Sequence, residues 1–315
     1  MTIRIALALL CIIPAAMAYP WESELDWWLF GIAVGVTLVV FAWWRGLFVT
    51  TMIGRRLAVW RRNHSEQTSR ASNDVTVVLR VDDPAGVGLS LPLVAGYVER
   101  FGVRCEKVRV TNRDDGADRT TWISMTLSAA DNLMALKARS AELPLLDTAN
   151  IAGRRLADHL RETGLAAVPV EEPQAPLGGG GREKWRAVLD DDGFVSAYAI
   201  RVDDAFAERL ADVWSHPATQ TWTAVELSGT SAFPMVSALC AFRTAEAVRG
   251  APVTGLLPQS GIQGPLLRAL APASTERLGI PAVPLPPGLL ERVGWPVGGR
   301  SLVEHEAAHE AGHPA

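Results

Sequence analysis

The residues that come nearest to a reaction centre by type and spacing lie at the end of the chain. His305-Glu306-Ala307-Ala308-His309 fits the HExxH pattern, with Gly312 and His313 just beyond it. On a helix the two histidines stand one turn apart and can share a zinc ion while the glutamate acts as base. That is the chemistry of a zinc hydrolase. Three features oppose it. His313 follows His309 too closely, because the extended metalloprotease motif places its third histidine two residues later. The sequence closes at Ala315, which leaves nothing to build a substrate cleft around such a helix. Glu304, Glu306 and Glu310 among small residues give the stretch the bias of a solvated polar tail. The tail reading is preferred, and a membrane-tethered zinc hydrolase is the alternative.

No other stretch assembles a catalytic or cofactor motif. Gly178 to Gly181 is followed by Arg182-Glu183-Lys184-Trp185. A phosphate loop needs Lys then Ser or Thr at that point, so the glycines read as a flexible link. Asp190-Asp191-Asp192-Gly193 lacks the spaced ligands and closing glutamate of a calcium loop and reads as a turn between strands. His159, between Asp158 and Arg161 on a helix, reads as a surface residue. The three cysteines, Cys11, Cys105 and Cys240, form no CxxC pair, which speaks for a reducing compartment and against a thiolate metal site. The net charge of −4, with no basic stripe away from one run of arginines, argues against nucleic acid. No catalytic, cofactor-binding or metal-binding residue is assigned, no cofactor is expected, and the chain reads as non-enzymatic.

The elements that would position a function begin with two apolar segments, with helices about 3–19 and 27–44. Trp27 to Trp44 carries no charge, and as a helix at ~1.5 Å per residue it spans roughly 27 Å, close to a bilayer core. The first segment has two readings. It is either an uncleaved membrane helix or a signal peptide ending at Ala16-Met17-Ala18. Glu22, Glu24 and Asp26 lie between the segments, whereas Arg45, Arg55, Arg56, Arg61 and Arg62 follow the second. Arginines stay on the cytoplasmic side, so either reading puts the bulk of the chain inside the cell. Trp21, Trp27 and Trp28 at one end and Trp43 and Trp44 at the other suit the headgroup level. Gly31 and Gly35 offer a small face for a neighbouring helix. Val49, Ile53, Leu57 and Trp60 recur at helical spacing among arginines, the pattern of an amphipathic helix near anionic lipid.

Downstream, strands at 75–81, 106–111 and 121–127, helices at 91–101 and from Asp131 and Asp147, and a strand at 166–170 give the order β-α-β-β-α-α-β. That is close to a split β-α-β, or ferredoxin-like, layer with one additional helix. Strand 194–202, helix 203–214 and strands 221–227 and 235–242 repeat β-α-β-β. Thr121-Trp122 and Thr221-Trp222 share a pattern but fall on non-equivalent strands. From Gly250 to Gly299 prolines and glycines dominate, and only Leu266 to Leu270 looks helical. The expected class is α/β (α+β). It divides into a transmembrane hairpin (1–44), a basic juxtamembrane helix and linker (45–72), a cytoplasmic domain of β-α-β-β units (73–249) and a Pro/Gly-rich extension with its His/Glu tail (250–315).

Several stretches carry a family resemblance. They are Ala42-Trp43-Trp44-Arg45-Gly46, Ile53-Gly54-Arg55-Arg56, Arg61-Arg62-Asn63, Val77 to Val81, Thr121-Trp122-Ile123-Ser124, Asp131-Asn132-Leu133, Gly153 to Glu162, Ser274 to Leu278 and Pro284-Leu285-Pro286. On these the chain resembles EccE, a membrane component of the mycobacterial type VII (ESX) secretion machinery. It is most similar to the EccE of the metal-regulated ESX system linked to siderophore-mediated iron acquisition. The likeness covers most of residues 1–290. The resemblance implies a structural subunit with two helices in the inner membrane and a cytoplasmic α/β domain. It would assemble with EccB, EccC and EccD and with membrane lipid. EccC supplies the ATPase, in keeping with the lack of a phosphate loop here. The family brings no catalytic residues to carry over.

Overall fold

The computed structural model describes residues 2–299 apart from 18, 21–22, 42, 45–46, 65–72, 117, 141–143, 180 and 249. The chain divides into two units, Met1–Gln67 and Thr68–Ala315.

The first unit contains helices α1 (Thr2–Met17), α2 (Glu24–Phe41) and α3 (Val49–His64). Ser23 starts α2 as a reciprocal cap. Its hydroxyl accepts from the Asp26 N–H at 3.3 Å, and the Asp26 carboxylate accepts from the Ser23 N–H at 3.1 Å. Glu24 and Asp26 in this first turn also oppose the positive end of the helix dipole. Helices α1 and α2 bury the small residues Ala8, Ala15 and Ala33 and turn Leu10, Ile13, Trp28 and Ile32 outward. The apolar run expected to stay helical to Trp44 stops at Phe41, because Trp43–Trp44 pairs antiparallel with Leu47–Phe48. No helix among the described residues is long and apolar enough to cross a membrane.

The second unit is a mixed α/β structure dominated by one antiparallel sheet. In chain order its elements are β1 (Asp74–Asp82), α4 (Leu91–Ala95), β2 (Lys107–Asp114), β3 (Arg119–Ser128), α5 (Leu133–Arg139), α6 (Leu145–Glu162), β4 (Ala166–Pro169), β5 (Arg182–Glu183), β6 (Val188–Asp190), β7 (Gly193–Ile200), α7 (Phe206–Ser215), β8 (Gln220–Gly229), β9 (Pro234–Thr244), β10 (Leu256–Pro258), α8 (Gln263–Leu270), β11 (Val283–Pro284) and α9 (Leu289–Arg292). The 11 strands run in the order β4-β1-β3-β2-β8-β9-β7-β6-β5, with β10 also on β7 and β11 on β9. The first four have the order and directions of a split β-α-β layer. The second half repeats it, since β9 lies between β7 and β8 and β10 flanks β7. The halves join where β2 pairs with β8, from Asp114 opposite Thr221 to Val108 opposite Leu227.

Alternation along the strands sorts their side chains to two faces. On one face Val108, Val110, Ile123, Met125, Val225, Leu227, Ala238 and Cys240 meet apolar residues of α4, α6, α7 and α9. On the other, Val78, Trp122, Val195, Trp222 and Leu239 meet Leu266, Leu267 and Leu270 of α8. Trp122 on β3 and Trp222 on β8 stack on this second face, with centroids 5.6 Å apart and planes at 7°. Helix α6 lies close on β1 because residue 153 is glycine. A Cβ there would stand 2.8 Å from Val77 Cγ1.

Two connecting stretches meet the sheet. The segment after β4 is strapped down, since Arg243 on β9 donates to the Pro176 carbonyl at 2.8 Å while pairing with Asp190, and Leu177 packs on the second face. The proline-rich stretch also belongs to the core. Trp295 is buried, donates its indole N–H to Asn112 on β2 at 2.9 Å, and meets Trp214 edge-on at 5.3 Å. Outside α8, α9 and two short strands, the carbonyls of this stretch accept from side chains of the sheet, as Ser274 does from Lys107 and Pro296 from Asn112. Trp295→Ala is therefore expected to cost the full chain about 3–5 kcal/mol in denaturant unfolding. A loss under about 1 kcal/mol would mean that this segment is not part of the folded core.

Candidate functional site

The densest chemistry in the described structure is a buried charge cluster on the second face. Alternation puts Lys107, Arg109 and Thr111 of β2 on one side of the sheet, where they would ordinarily face water. Here residues 269–278 cover them, and Lys107 and Arg109 are both fully buried. Arg109 stands directly opposite Glu226 at the join of the two halves, and its Nη2 donates to Glu226 Oε2 at 2.7 Å. The remaining guanidinium donors reach the carbonyls of Ala269, Ala271 and Glu276. Lys107 donates to the carbonyls of Ser274, at 2.8 Å, and Glu276. Glu226 also accepts from the Leu278 N–H at 3.3 Å and from Arg277, which reaches across to Glu106 at 3.3 Å.

Burial pulls Lys107 down to about 7 from 10.5, aided by the charges of Arg109 and Arg277 and opposed by those of Glu226 and Glu276. Burial likewise lowers Arg109, with Glu226 holding it charged. The bonds from Lys107 and Arg109 all end on protein carbonyls or the Glu226 carboxylate, so this buried pair clamps 269–278, while the Thr111 hydroxyl beside them is buried without a partner among the described residues.

A second constellation is exposed. The sequence suggests a helix from Leu91 to Phe101, but α4 ends at Ala95. Glu99–Arg100 then pairs with Val103–Arg104 in a small hairpin. Its two-residue tip, Phe101-Gly102, has φ of 56° and 70°. Such a turn favours Asn-Gly, and a phenylalanine held left-handed costs about 1–2 kcal/mol. The Phe101 ring is 55% exposed between two guanidiniums, with Arg155 of α6 4.7 Å and Arg100 5.1 Å from its centroid. Tyr97 supports it from below, edge-on at 6.5 Å, with its hydroxyl donating to the Arg155 carbonyl at 3.1 Å. Burial raises the Tyr97 hydroxyl above its usual range.

His305, Glu306 and His309 lie outside the described residues. No group of three or more His, Cys, Asp or Glu among the described residues could hold a metal. Asp190 to Gly193 is the β6–β7 turn, where Asp190 accepts from the Asp192 N–H at 3.1 Å and pairs with Arg243 at 2.6 Å. His159 is half-buried, with Nδ1 3.2 Å from the Tyr97 hydroxyl, rather than free on the surface. Cys105 and Cys240 are buried, and burial pushes Cys105 up to about 12 and Cys240 further, so neither thiol is poised as a nucleophile. A cleft of ≈ 370 Å³ includes Asp114, Arg119, Trp214 and His216 in its lining. Asp114 is raised there by burial against its pairing with Arg119.

Neither constellation was found from the sequence. The alternating Lys107-Val108-Arg109-Val110 gives no sign of a cover arriving from residue 269. The one signal for the hairpin is Gly102, which reads equally well as a helix stop.

Similarity to known proteins places this architecture. Residues 116–200 match the profile of the family described as "Putative type VII ESX secretion system translocon, EccE". The chain is 48% identical over 317 residues to the ESX-3 secretion system protein EccE3 of Mycolicibacterium smegmatis, covering 100% of both. It is 42% identical over 304 residues to the EccE3 of Mycobacterium tuberculosis (strain CDC 1551 / Oshkosh), covering 93% of this chain and 91% of that one. These matches define a component of a type VII secretion system. The chain belongs to the EccE family, and its relatives are of the ESX-3 system, the iron- and zinc-regulated one.

The clamp has a measurable signature. The unfolded chain binds a proton at Lys107 up to about pH 10.5, whereas the folded chain releases it near 7. The unfolded state therefore holds more protons between these values, and stability rises with pH by up to about 1.4 kcal/mol per unit. Unfolding of the full chain between pH 7 and about 8, below cysteine titration in the unfolded state, should show this rise. Lys107→Met should abolish it, and an unchanged slope in that variant would exclude Lys107 as the source. Glu226→Gln, which leaves Arg109 buried without its counter-charge, should cost about 3–5 kcal/mol.

Proposed function

We propose that this chain is a structural subunit of the ESX-3 membrane complex. In this reading it is anchored in the inner membrane by α1 and α2, with its sheet domain on the cytoplasmic side. It docks there on EccB, EccC and EccD and supports protein export that serves siderophore-mediated iron acquisition. The carrying observation is the end-to-end 48% identity to an ESX-3 component. The anchor is supported by the outward apolar faces of α1 and α2, the acids at the start of α2 and the arginines of α3. In this reading the two insert together as a hairpin, residues 1–44. Residues 45–72 are then the basic juxtamembrane part, and the exposed Ile53, Leu57 and Trp60 of α3 lie toward lipid. The domain of residues 73–249, with the described part of the 250–315 extension, up to residue 299, packed along it, supplies the docking surface.

Two experiments test this. Purification of the detergent-solubilised complex through another ESX-3 subunit should bring this chain with it, and a topology reporter at the C-terminus should be protected inside the cell. A reporter exposed outside would sink the orientation. Deleting residues 301–315 should leave assembly and secretion near normal. Loss of secretion with assembly intact would favour the hydrolase reading instead.

A further inference from the structure

We infer that Phe101, held between Arg100 and Arg155, anchors a docking surface for an acidic segment of another subunit of the secretion complex. The inference rests on the subunit reading above and names the surface. Four observations on the domain lead to it.

Phe101 occupies a left-handed backbone position that glycine or asparagine would fill with less strain, and its ring remains 55% exposed. Within the domain its half-exposed ring sets an edge-on contact with Tyr97 and the two guanidiniums against that strain, with little core burial. Among the described residues neither Arg100 nor Arg155 has a carboxylate partner. Two nearby acids are engaged elsewhere, and Glu162, also close to Tyr97, makes no ion pair with either guanidinium. Glu99 accepts from the Ser231 N–H at 3.0 Å and its hydroxyl at 2.8 Å, and Asp158 pairs with Arg161 at 2.6 Å.

The surface is also rigid. The hairpin is tied to the β8–β9 turn through Ser231, and Tyr97 fixes its other side to α6. Gly153 holds α6 tightly to β1, so Arg155 is presented from a fixed helix. An exposed aromatic flanked by preorganised guanidiniums is the make-up of an interface hot spot. The planar forks match carboxylates two bonds at a time. A single ring with two arginines is too small a basic patch for a lipid surface, which draws on several cations. An Asp- or Glu-bearing peptide with an apolar residue for the ring fits it.

The test uses the ESX-3 complex purified from membranes through another subunit, with this chain as wild type, Phe101→Gly or Arg100→Glu/Arg155→Glu. Phe101→Gly should melt no lower than wild type, because glycine accepts the backbone position. Its retention in the complex, and that of the double variant, should fall about tenfold or more. Wild-type retention should weaken as salt rises. Binding to phosphatidylglycerol vesicles should be the same for all three. Equal retention of the variants overturns the inference. So does a lower melting temperature for Phe101→Gly, which would make the ring a packing residue, or a loss of vesicle binding, which would make lipid the partner. Should the wild type itself fail to co-purify, the subunit reading falls and not merely this surface.

Discussion

The join between β2 and β8 depends on one cross-strand ion pair. Arg109 and Glu226 face each other at the centre of the sheet, each from a different half, with their side chains almost wholly removed from water. Burying two charges is costly, and their attraction alone does not ensure a net gain. What the pair supplies is register. A one-residue slip of β8 against β2 would turn Glu226 to the opposite face and leave Arg109 facing an apolar neighbour. The remaining donors of Arg109 and those of Lys107 then fasten residues 269–276, so the same pair that aligns the halves also seats the chain that covers them.

This makes the two halves inseparable in a way that their repeated topology does not suggest. Each is built on a split β-α-β order and has a helical layer of its own. The C-terminal stretch crosses both. Helix α8 lies against the second face, β11 pairs with β9, and Trp295 bonds to Asn112 of β2. The result is a wide sheet whose central strands are shielded on both faces. Such a scaffold offers fixed surfaces more readily than a hinge between domains.

Most of the regular elements were legible in the sequence, for a physical reason. The strands are β-branched runs bounded by Asp-Gly or Gly turns, and α6 and α7 carry apolar residues at helical spacing. What escaped was decided by distant partners. Lys107 and Arg109 look like a solvent-facing row until residues 269–278 are laid over them. The helix expected through Phe101 ends early because the Phe101-Gly102 turn pairs Arg100 with Val103. The apolar run after Trp27 gives way before Trp44 because its last tryptophans pair with Leu47–Phe48. The expectation that His159 is a surface residue overlooked Tyr97, which lies far away in sequence and reaches it only through the fold.

The placement of charge separates what holds the domain together from what it can offer a partner. Inside, each cation is matched to a carboxylate or a row of carbonyls, as Arg109 and Arg243 show. Satisfied groups of this kind have little left to give a ligand, and the buried thiols of Cys105 and Cys240 are as inert. At the hairpin tip the order is reversed. An aromatic ring is held out to water in a strained turn, and the guanidiniums beside it keep their donors available. Cations matched inside and a ring exposed between guanidiniums outside underlie the docking role proposed for this domain. That agrees with membership of a family whose relatives are named as parts of a secretion system.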